Sequence, residues 1–455
     1  MNLKINVPKN PALAVKMLIN AGFEAGVVGG CTRDAIIGEI PHDWDICTSA
    51  TPVEIQLVFK EFKQLTIGLK HGTVIIIIDN EQIEITTYRI DGEYSDGRRP
   101  DEVAFTRNLL EDLSRRDYTQ NAIFFNEFVG IIDPFNGVLD IENKIIRCVG
   151  NPNKRLQEDA LRILRGIRFA SKLGFEIEKA TKTAMFENKE LLKNVSEERI
   201  TEEFVKILQG KDALNILDEF KEIIAFIIPE TKAMMGLNQH NPYHVYDVWE
   251  HTLVAVNNTD GLILKLAMFF HDIGKPSCFS IDEQGLGHFY GHADVSFKIA
   301  SEIFKRMKMT CAQGISGNDL THILELIKYH DVIIEPRKKS VKKMLSKLNG
   351  NVEQFQRLLS VKRADALAQS PDKLTDKLKQ IEDIEVILME VLAENPCTTL
   401  KDLAINGNDL IELGIPAGKK IGEILNQLLE DVINENLPNE KELLLTVVQK
   451  YMNYR

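Results

Sequence analysis

Apolar residues recur at helical spacing from 10 to 22, with Ala12, Val15, Leu18 and Ile19 sharing a face, and the pattern stops at Gly22. Val27-Val28 predicts a strand that runs into a Gly29-Gly30 turn. Asp34 to Gly38 reads as a short helix and Trp44 to Cys47 as a strand. Pro52 to Phe62 reads as a helix with proline where it is tolerated, at the start. Thr73 to Ile78 and Ile83 to Tyr88 predict two strands across an Asp79-Asn80 turn. This order is mixed α/β with an antiparallel hairpin, not a βαβ repeat. That order disfavours a dinucleotide-binding Rossmann fold, and the glycine pattern is not GxGxxG. Asp91 to Pro100 is polar, contains two glycines, and predicts a mobile loop. From Leu109 onward helices dominate, and Asn136-Gly137 predicts a turn within the last strands of the first domain. A chain of 455 residues exceeds one typical core, so two to four domains are expected, with boundaries near Pro229 and after Asp372.

Composition narrows the class. At 44% hydrophobic and 27% charged residues the chain is an ordinary globular sequence. Its longest apolar run, Val74 to Ile78, is far short of the roughly 20 residues of a membrane span. Met1 to Lys9 lacks the apolar core of a signal peptide. Six cysteines are scattered singly with no CxxC pair, which excludes a zinc ribbon and a disulfide framework. A cytoplasmic protein is expected, and no membrane partner. The net charge of −12 opposes nucleic-acid binding except through a local basic patch. Residues 371–455 are themselves acidic, with nine Lys+Arg against sixteen Asp+Glu, while the arginine clusters fall in the first 170 residues.

Four clusters carry candidate chemistry. In the first, Gly29 and Gly30 let the backbone approach a phosphate at a helix N-terminus, and Arg33 follows. Asp43 and Asp45, one residue apart, point the same way if extended. Such paired carboxylates repel unless a cation lies between them, and their hard oxygens suit Mg²⁺. Glu84, alternating with Ile83 and Ile85, is a candidate third carboxylate. Together these read as a nucleoside triphosphate site with metal. In the second cluster, Arg115-Arg116-Asp117 opens a helix and offers donors to a triphosphate and an acceptor to a ribose hydroxyl. The bland alternative is a helix start with local ion pairs.

The third cluster is Glu158-Asp-Ala-Leu-Arg-Ile-Leu-Arg-Gly-Ile-Arg168. On one helix, Asp159 and Arg162 are neighbours, a fixed acceptor and donor set suited to a base edge. Arg165 continues the stripe. Arg168 drifts to the far side, toward phosphate or another helix. A solvated, salt-bridged face is the alternative. The fourth is a series: His251, His271-Asp272, His292, His330 and Asp365. Imidazoles and carboxylates converging from separate helices make a mixed N/O metal site, able to activate water for phosphoester hydrolysis. A metal kept for structure alone is the other reading.

Taken together and in this order, the clusters resemble the bacterial class II tRNA nucleotidyltransferases, the CCA-adding enzymes of the polymerase β superfamily, in the form that carries an HD domain. The resemblance covers nearly the whole chain. It implies an α+β fold: a polymerase β-like head over 1–150, a helical neck over 151–228, an HD domain over 229–372 and a helical tail over 373–455. By resemblance, Gly29, Gly30, Arg33, Arg116 and Asp117 bind the nucleotide, and Asp43 and Asp45 hold Mg²⁺. Asp159 and Arg162 act as an amino-acid template for CTP and ATP, with Arg165 and Arg168 near the phosphates. His251, His271, Asp272, His292, His330 and Asp365 hold a second divalent metal. The loop Asp91 to Pro100 is similar to the one associated with terminal A addition. Glu198-Arg-Ile-Thr-Glu-Glu-Phe matches a neck motif, and Leu413 to Gly422 matches a tail segment expected along tRNA. Gln120 departs from the aliphatic residue usual in Arg-Arg-Asp-x-Thr-x-Asn-Ala.

The implied function is template-independent CCA addition to tRNA from CTP and ATP by two-metal nucleotidyl transfer. A phosphohydrolase side activity on 2′,3′-cyclic or terminal phosphates is implied at the HD site. The rivals are an A-adding enzyme or poly(A) polymerase of the same superfamily, and an HD phosphohydrolase whose head senses nucleotide. Monomer and dimer both stay open.

Overall fold

The computed structural model describes residues 5–66, 68–69, 72–91, 103–242 and 244–453. Apart from Asp91 itself, the expected loop from Asp91 to Pro100 lies outside them. The chain forms two compact units, Met1–Pro229 and Glu230–Arg455. No helix among the described residues is long and apolar enough to cross a membrane.

The first unit opens with α1 (Lys9–Asn20), β1 (Ala25–Val28), α2 (Gly30–Ile37), β2 (Ile46–Thr48), α3 (Pro52–Val58), β3 (Lys63–Leu65), β4 (Thr73–Ile78) and β5 (Glu81–Thr87). The pair β6 (Arg89–Asp91) and β7 (Val103–Phe105) precedes α4 (Leu109–Ser114), β8 (Phe124–Asn126), β9 (Gly130–Ile132), α5 (Gly137–Glu142) and β10 (Ile145–Ile146). Seven strands form one sheet in the order β3-β4-β5-β2-β1-β8-β9. Within this sheet β2 and β5 run parallel and the other described pairs antiparallel. All four residues of β1 are buried, because both sheet faces are covered. Ala25 and Val27 pack with Leu18, Ile46, Ile55 and Ile85 on one side, and Val28 with Tyr88, Leu113 and Phe124 on the other.

Helices complete the unit: α6 (Pro152–Glu158), α7 (Leu161–Leu173), then, after β11 (Glu176–Ile177), α8 (Lys179–Glu187), α9 (Glu197–Leu208), α10 (Ala213–Glu219) and α11 (Lys221–Ile227). Helix α7 is strongly amphipathic and packs its buried face, including Ile163, Leu164 and Ile167, largely on α9.

Several expectations are corrected here. The strand predicted over Trp44 to Cys47 starts at Ile46, so both aspartates precede it. Its neighbour β1 ends at Val28, and the last backbone bond across the pair runs from Val28 N–H to Asp45 C=O at 3.0 Å. Beyond it the glycine turn leads β1 away and leaves Asp43 and Trp44 without a partner strand there. The helix predicted to Phe62 stops at Val58, and Lys63–Leu65 pairs with β4 at the sheet edge. Asn136, in the left-handed region at φ 58°, leads into α5, not into a strand. Arg115-Arg116-Asp117 does not open a helix: it follows the end of α4. Asp159 does not share a helix with Arg162. Helix α6 ends at Glu158, and Asp159 has extended backbone (φ −142°, ψ 105°). Its carboxylate accepts Leu161 N–H at 3.1 Å, the local bond by which aspartate favours helix starts over helix interiors.

The second unit is helical: α12 (Val248–Asn257), α13 (Leu262–Phe270), α14 (Lys275–Cys278), the small hairpin β12 (Ser280–Ile281) and β13 (Gly287–His288), α15 (His292–Arg306), α16 (Gly317–Tyr329), α17 (Lys338–Lys347), α18 (Val352–Leu367) and α19 (Leu374–Ala393). Capping boxes at Asp247/Glu250 and Ser316/Asp319 start α12 and α16. Helices α20 (Gly407–Glu412), α21 (Lys419–Ile433) and α22 (Lys441–Asn453) share their own core around Leu410, Leu428 and Leu444.

Candidate functional sites

In the first unit the glycine turn sets the geometry. Gly29 has φ 90° and ψ −134°, a conformation reserved for glycine. A Cβ there would stand 3.4 Å from Arg116 Nη1 and 3.8 Å from Asp45 Oδ2, in the space the site needs. The first turn of α2 pins this turn from below. Thr32 Oγ1 lies 2.8 Å from Gly29 O and 3.0 Å from Ile123 O, its single proton shared between the two carbonyls. Gly29 stands at the N-terminal end of α2, the positive end of the helix, which favours an anion.

Across the opening, Asp43 and Asp45 are exposed while Trp44 between them is buried, so the expected alternation holds without strand pairing. Glu84, exposed on β5, lies beside Asp45, because the parallel register pairs the next residues, Ile46 and Ile85. Partial burial of the Asp45 carboxylate, then the charges of Glu84 and Asp43, raise its pKa above the ordinary value, against the pull of Arg116. The residue stays open at the surface, so this crowding is the energetic signature of a place for a cation. Carboxylate oxygens fit Mg²⁺ better than a softer ion.

Arg115 and Arg116 are both held by one buried carboxylate, Asp112, at 2.8 and 3.1 Å. Asp112 also accepts the backbone N–H of Arg89 at 3.2 Å. Burial would raise its pKa, but the two guanidinium groups outweigh that and lower it. Asp117 is turned inward: it accepts Arg165 Nη2 at 2.7 Å and Asn121 Nδ2 at 3.0 Å, and stays ionised despite its burial. It therefore orients Arg165. Arg33 donates to Asp34 and to Asn121, both at 2.8 Å, and is 5% exposed.

The third cluster is brought together differently from the expectation. Arg199 of α9 reaches Asp159 at 2.9 Å, and Arg168 pairs with Glu203 of α9 at 2.6 Å. Arg162 donates to Glu158 at 2.7 Å and to the carbonyls of Arg155 and Arg115. Thus Asp159 and Arg162 are each fixed by a different partner. Arg199 and Glu203 both belong to the Glu198-Arg-Ile-Thr-Glu-Glu-Phe segment, whose charge spacing was the available signal for their part. Asp112 carried no such signal, since an acid three residues before an arginine is common on helices.

The second unit brings all six predicted residues into one cluster. His251 comes from α12, His271 and Asp272 from just past α13, His292 from the first position of α15, His330 from the end of α16 and Asp365 from α18. Every imidazole gives its Nδ1–H to a backbone carbonyl: His251 to Ala368 (3.0 Å), His271 to Met268 (2.6 Å), His292 to Phe289 (2.8 Å) and His330 to Ile327 (2.7 Å). For His271 and His330 the acceptor belongs to the last helical turn, where carbonyls lack helical partners. With each Nδ1 donating, Nε2 is the atom that every ring turns inward.

These Nε2 atoms meet carboxylates. Asp272 Oδ2 lies 3.4 and 3.1 Å from His251 and His271, and Oδ1 lies 3.3 and 3.7 Å from His292 and His330. Asp365 Oδ1 is 3.0 Å from His251 Nε2. His292 Nε2 and His330 Nε2 stand 3.1 Å apart, two acceptors that need a proton or cation between them. Among the described residues, His271 Nε2 and Asp272 Oδ1 are buried without a hydrogen-bond partner, and Asp272 Oδ2 has the Lys275 ammonium 2.7 Å away. The donors form two triads sharing Asp272, which fits divalent metal.

Further residues join this centre. Lys275 is buried, with Nζ 2.7 Å from Asp272 and bonded to Gln239. Its place three residues after Asp272 made it findable. His244 packs edge-on against His251, ring centroids 5.4 Å apart. Burial and then the charge of Lys275 lower its pKa to about 3, so it is neutral. Lys362 donates to the carbonyls of His330 and Val332 at 2.7 and 2.6 Å, and burial lowers it to about 8. A cavity of about 230 Å³ opens onto His330 and Asp365 between Lys362, Ile334 and Gln369.

Known proteins match the chain in three segments and over nearly its whole length. Residues 25–147 match a family described as the poly A polymerase head domain, 174–235 one described as an RNA- and SrmB-binding site of polymerase A, and 297–448 one described as tRNA nucleotidyltransferase domain 2. A CCA-adding enzyme of Enterococcus faecalis is 32% identical over 443 residues, 97% of this chain and 96% of that one. One from Lactobacillus helveticus is 48% identical over 209 residues, 45% of this chain and 52% of that one. The crystal structure of the Bacillus stearothermophilus CCA-adding enzyme in complex with CTP superposes with a TM-score of 0.71 at 28% identity, covering 98% of this chain and all of that one.

Proposed function

The chain belongs to the CCA-adding enzyme family of tRNA nucleotidyltransferases, and we propose that it extends tRNA 3′ ends with C and A from CTP and ATP, without a nucleic-acid template, at the opening framed by Gly29, Asp43, Asp45 and Arg116. The observation that carries this is the crowding of Asp45 by Glu84 and Asp43 directly opposite a glycine turn and helix start. Asp43 and Asp45 would hold Mg²⁺, with Glu84 beside them. Bound there, the metal lowers the pKa of the attacking hydroxyl and stabilises charge on the leaving pyrophosphate. Gly29 and Gly30 admit the phosphates to the N–H groups of α2. Arg116, held by Asp112, faces the same space. Asp159 and Arg162, each fixed by a separate ion pair, present an acceptor and donors to a base edge.

Residues 1–150 then form the catalytic head and 151–228 the neck. Residues 373–455 form a tail in which Lys419 and Lys420, at the start of α21, offer positive charge to tRNA. A cytoplasmic location goes with this substrate. The test is incubation with a tRNA transcript lacking CCA and with CTP, ATP or both. Addition of CC with CTP and of CCA with both is expected. Addition of A alone would instead favour an A-adding enzyme or poly(A) polymerase.

A second reading concerns residues 229–372, where fixed rings and a shared Asp272 support a metal-dependent phosphohydrolase site. Bound metal would supply an activated water. Lys275 neutralises Asp272, and the cavity beside Asp365 gives a phosphoester room. Metal analysis of wild type against His271→Ala tests it: equal metal content would remove this reading and leave the first intact.

A further inference from the structure

Three of the candidate nucleotide-site arginines converge on one side chain that no phosphate argument selects. Phe169, on α7, is 4% exposed. The guanidinium carbons of Arg168, Arg33 and Arg165 lie 4.4, 5.1 and 5.5 Å from its ring centroid. Their closest ion pairs differ, Glu203 for Arg168, Asp34 for Arg33 and Asp117 for Arg165, although Glu203 and Asp117 each act on both Arg165 and Arg168. Those three acids stand on α9, on α2 and in the segment after α4, so no single carboxylate ties all three arginines together. The ring is their shared contact.

The ring is itself held from the other side. Tyr118 meets it edge-on, centroids 5.9 Å apart. The Tyr118 hydroxyl donates to Arg162 O at 2.6 Å. Gly166 leaves the notch this requires, since a Cβ there would fall 2.2 Å from that hydroxyl. A ring face is electron-rich and attracts guanidinium, most strongly where water is excluded.

We propose that Phe169 is a positioning residue for nucleotide selection: its ring holds Arg33, from the helix behind the glycine turn, in register with Arg165 and Arg168, from the helix that carries Arg162. The base-reading face and the phosphate-reading turn then keep one spacing, so that a base is judged only when its triphosphate is seated. This rests on the reading of the first unit as the nucleotidyl-transfer site.

The test compares Phe169→Leu, which keeps apolar bulk and removes the ring, with Phe169→Tyr, which keeps the ring. Steady-state C and A incorporation is measured with CTP, ATP, UTP and GTP on a transcript lacking CCA. For F169L, KM for CTP and ATP rises roughly tenfold, discrimination against UTP and GTP falls by a similar factor, and kcat changes much less. F169Y stays within about threefold of wild type, the distinction a cation–π contact requires. F169L with wild-type KM and discrimination overturns the proposal, as does F169Y that is as impaired as F169L, because then bulk and not the ring face matters. If F169L does not fold, Phe169→Met carries the same expectation, and failure of both to fold assigns the ring to the core and overturns the proposal. A wild-type chain that adds no nucleotide would instead defeat the reading on which this rests, whatever Phe169 does.

Discussion

Asp43 and Asp45 stand exposed around an opening, whereas His251, His271 and Asp272 have side chains no more than 1% exposed. The first site leaves its carboxylates short of partners: Asp45 is pushed toward its protonated form by burial, Glu84 and Asp43. The second fixes its ligand rings before any ligand arrives, four imidazoles on four carbonyls and Asp272 against Lys275, and still leaves His271 Nε2 without a hydrogen bond among the described residues. An open site of like charges is completed by what it binds. An enclosed site of fixed rings is shaped by folding before it binds. The two should respond to the same class of substitution in opposite ways.

The largest effect should separate them outright. Asp43→Ala is expected to abolish both C and A incorporation, a loss above about a thousandfold, with the melting temperature barely changed. Turnover that survives would remove the metal role of the pair. Asp272→Ala should do the reverse to its own unit. It strands Lys275 as a buried, uncompensated charge and should cost about 3–5 kcal/mol together with the bound metal. Denaturant unfolding and metal analysis check it; an unchanged midpoint would mean that the cluster is not enclosed in solution.

Between these lies Arg162→Ala, expected to blur base choice by about tenfold more than it slows addition. A change in rate alone would end the template role. The smallest effect sharpens the contrast in sign. A raised folded-state pKa in a carboxylate means that its charged form is disfavoured by folding, so stability is lost as pH rises through that pKa. Asp45→Asn removes the charge and should raise the melting temperature at pH 7 slightly, by about 1 °C in metal-free buffer. Mg²⁺ should stabilise wild type and leave this variant unmoved; a lowered melting point would show that the carboxylates are not in conflict.

Much of this was legible early because the residue types are chemically narrow. Paired aspartates, glycines at the end of an apolar strand and four histidines each beside an acid or at a helix end have few uses. The strand boundary and the paths of individual ion pairs were not legible. β2 begins at Ile46 because its partner turns away at Gly29, a long-range event. Asp159 caps a new helix although its spacing to Arg162 matches one continuous helix. Lys63–Leu65 is too short and polar to announce itself, and is a strand because β4 lies beside it.

The sequence by itself therefore determined which chemistry the chain carries: hard oxygens for a cation, amides and arginines for phosphate, imidazoles for a second metal. Local side-chain chemistry and short-range spacing are enough for that. Only the tertiary structure decided the partners: that Asp112 holds Arg115 and Arg116, that α9 supplies the counter-charges of Asp159 and Arg168, and that Phe169 gathers three arginines. Of these, Arg199 to Asp159, Arg168 to Glu203 and Arg33 to Phe169 join residues tens of positions apart. They follow from how buried faces pack and not from any pattern the chain shows along its length.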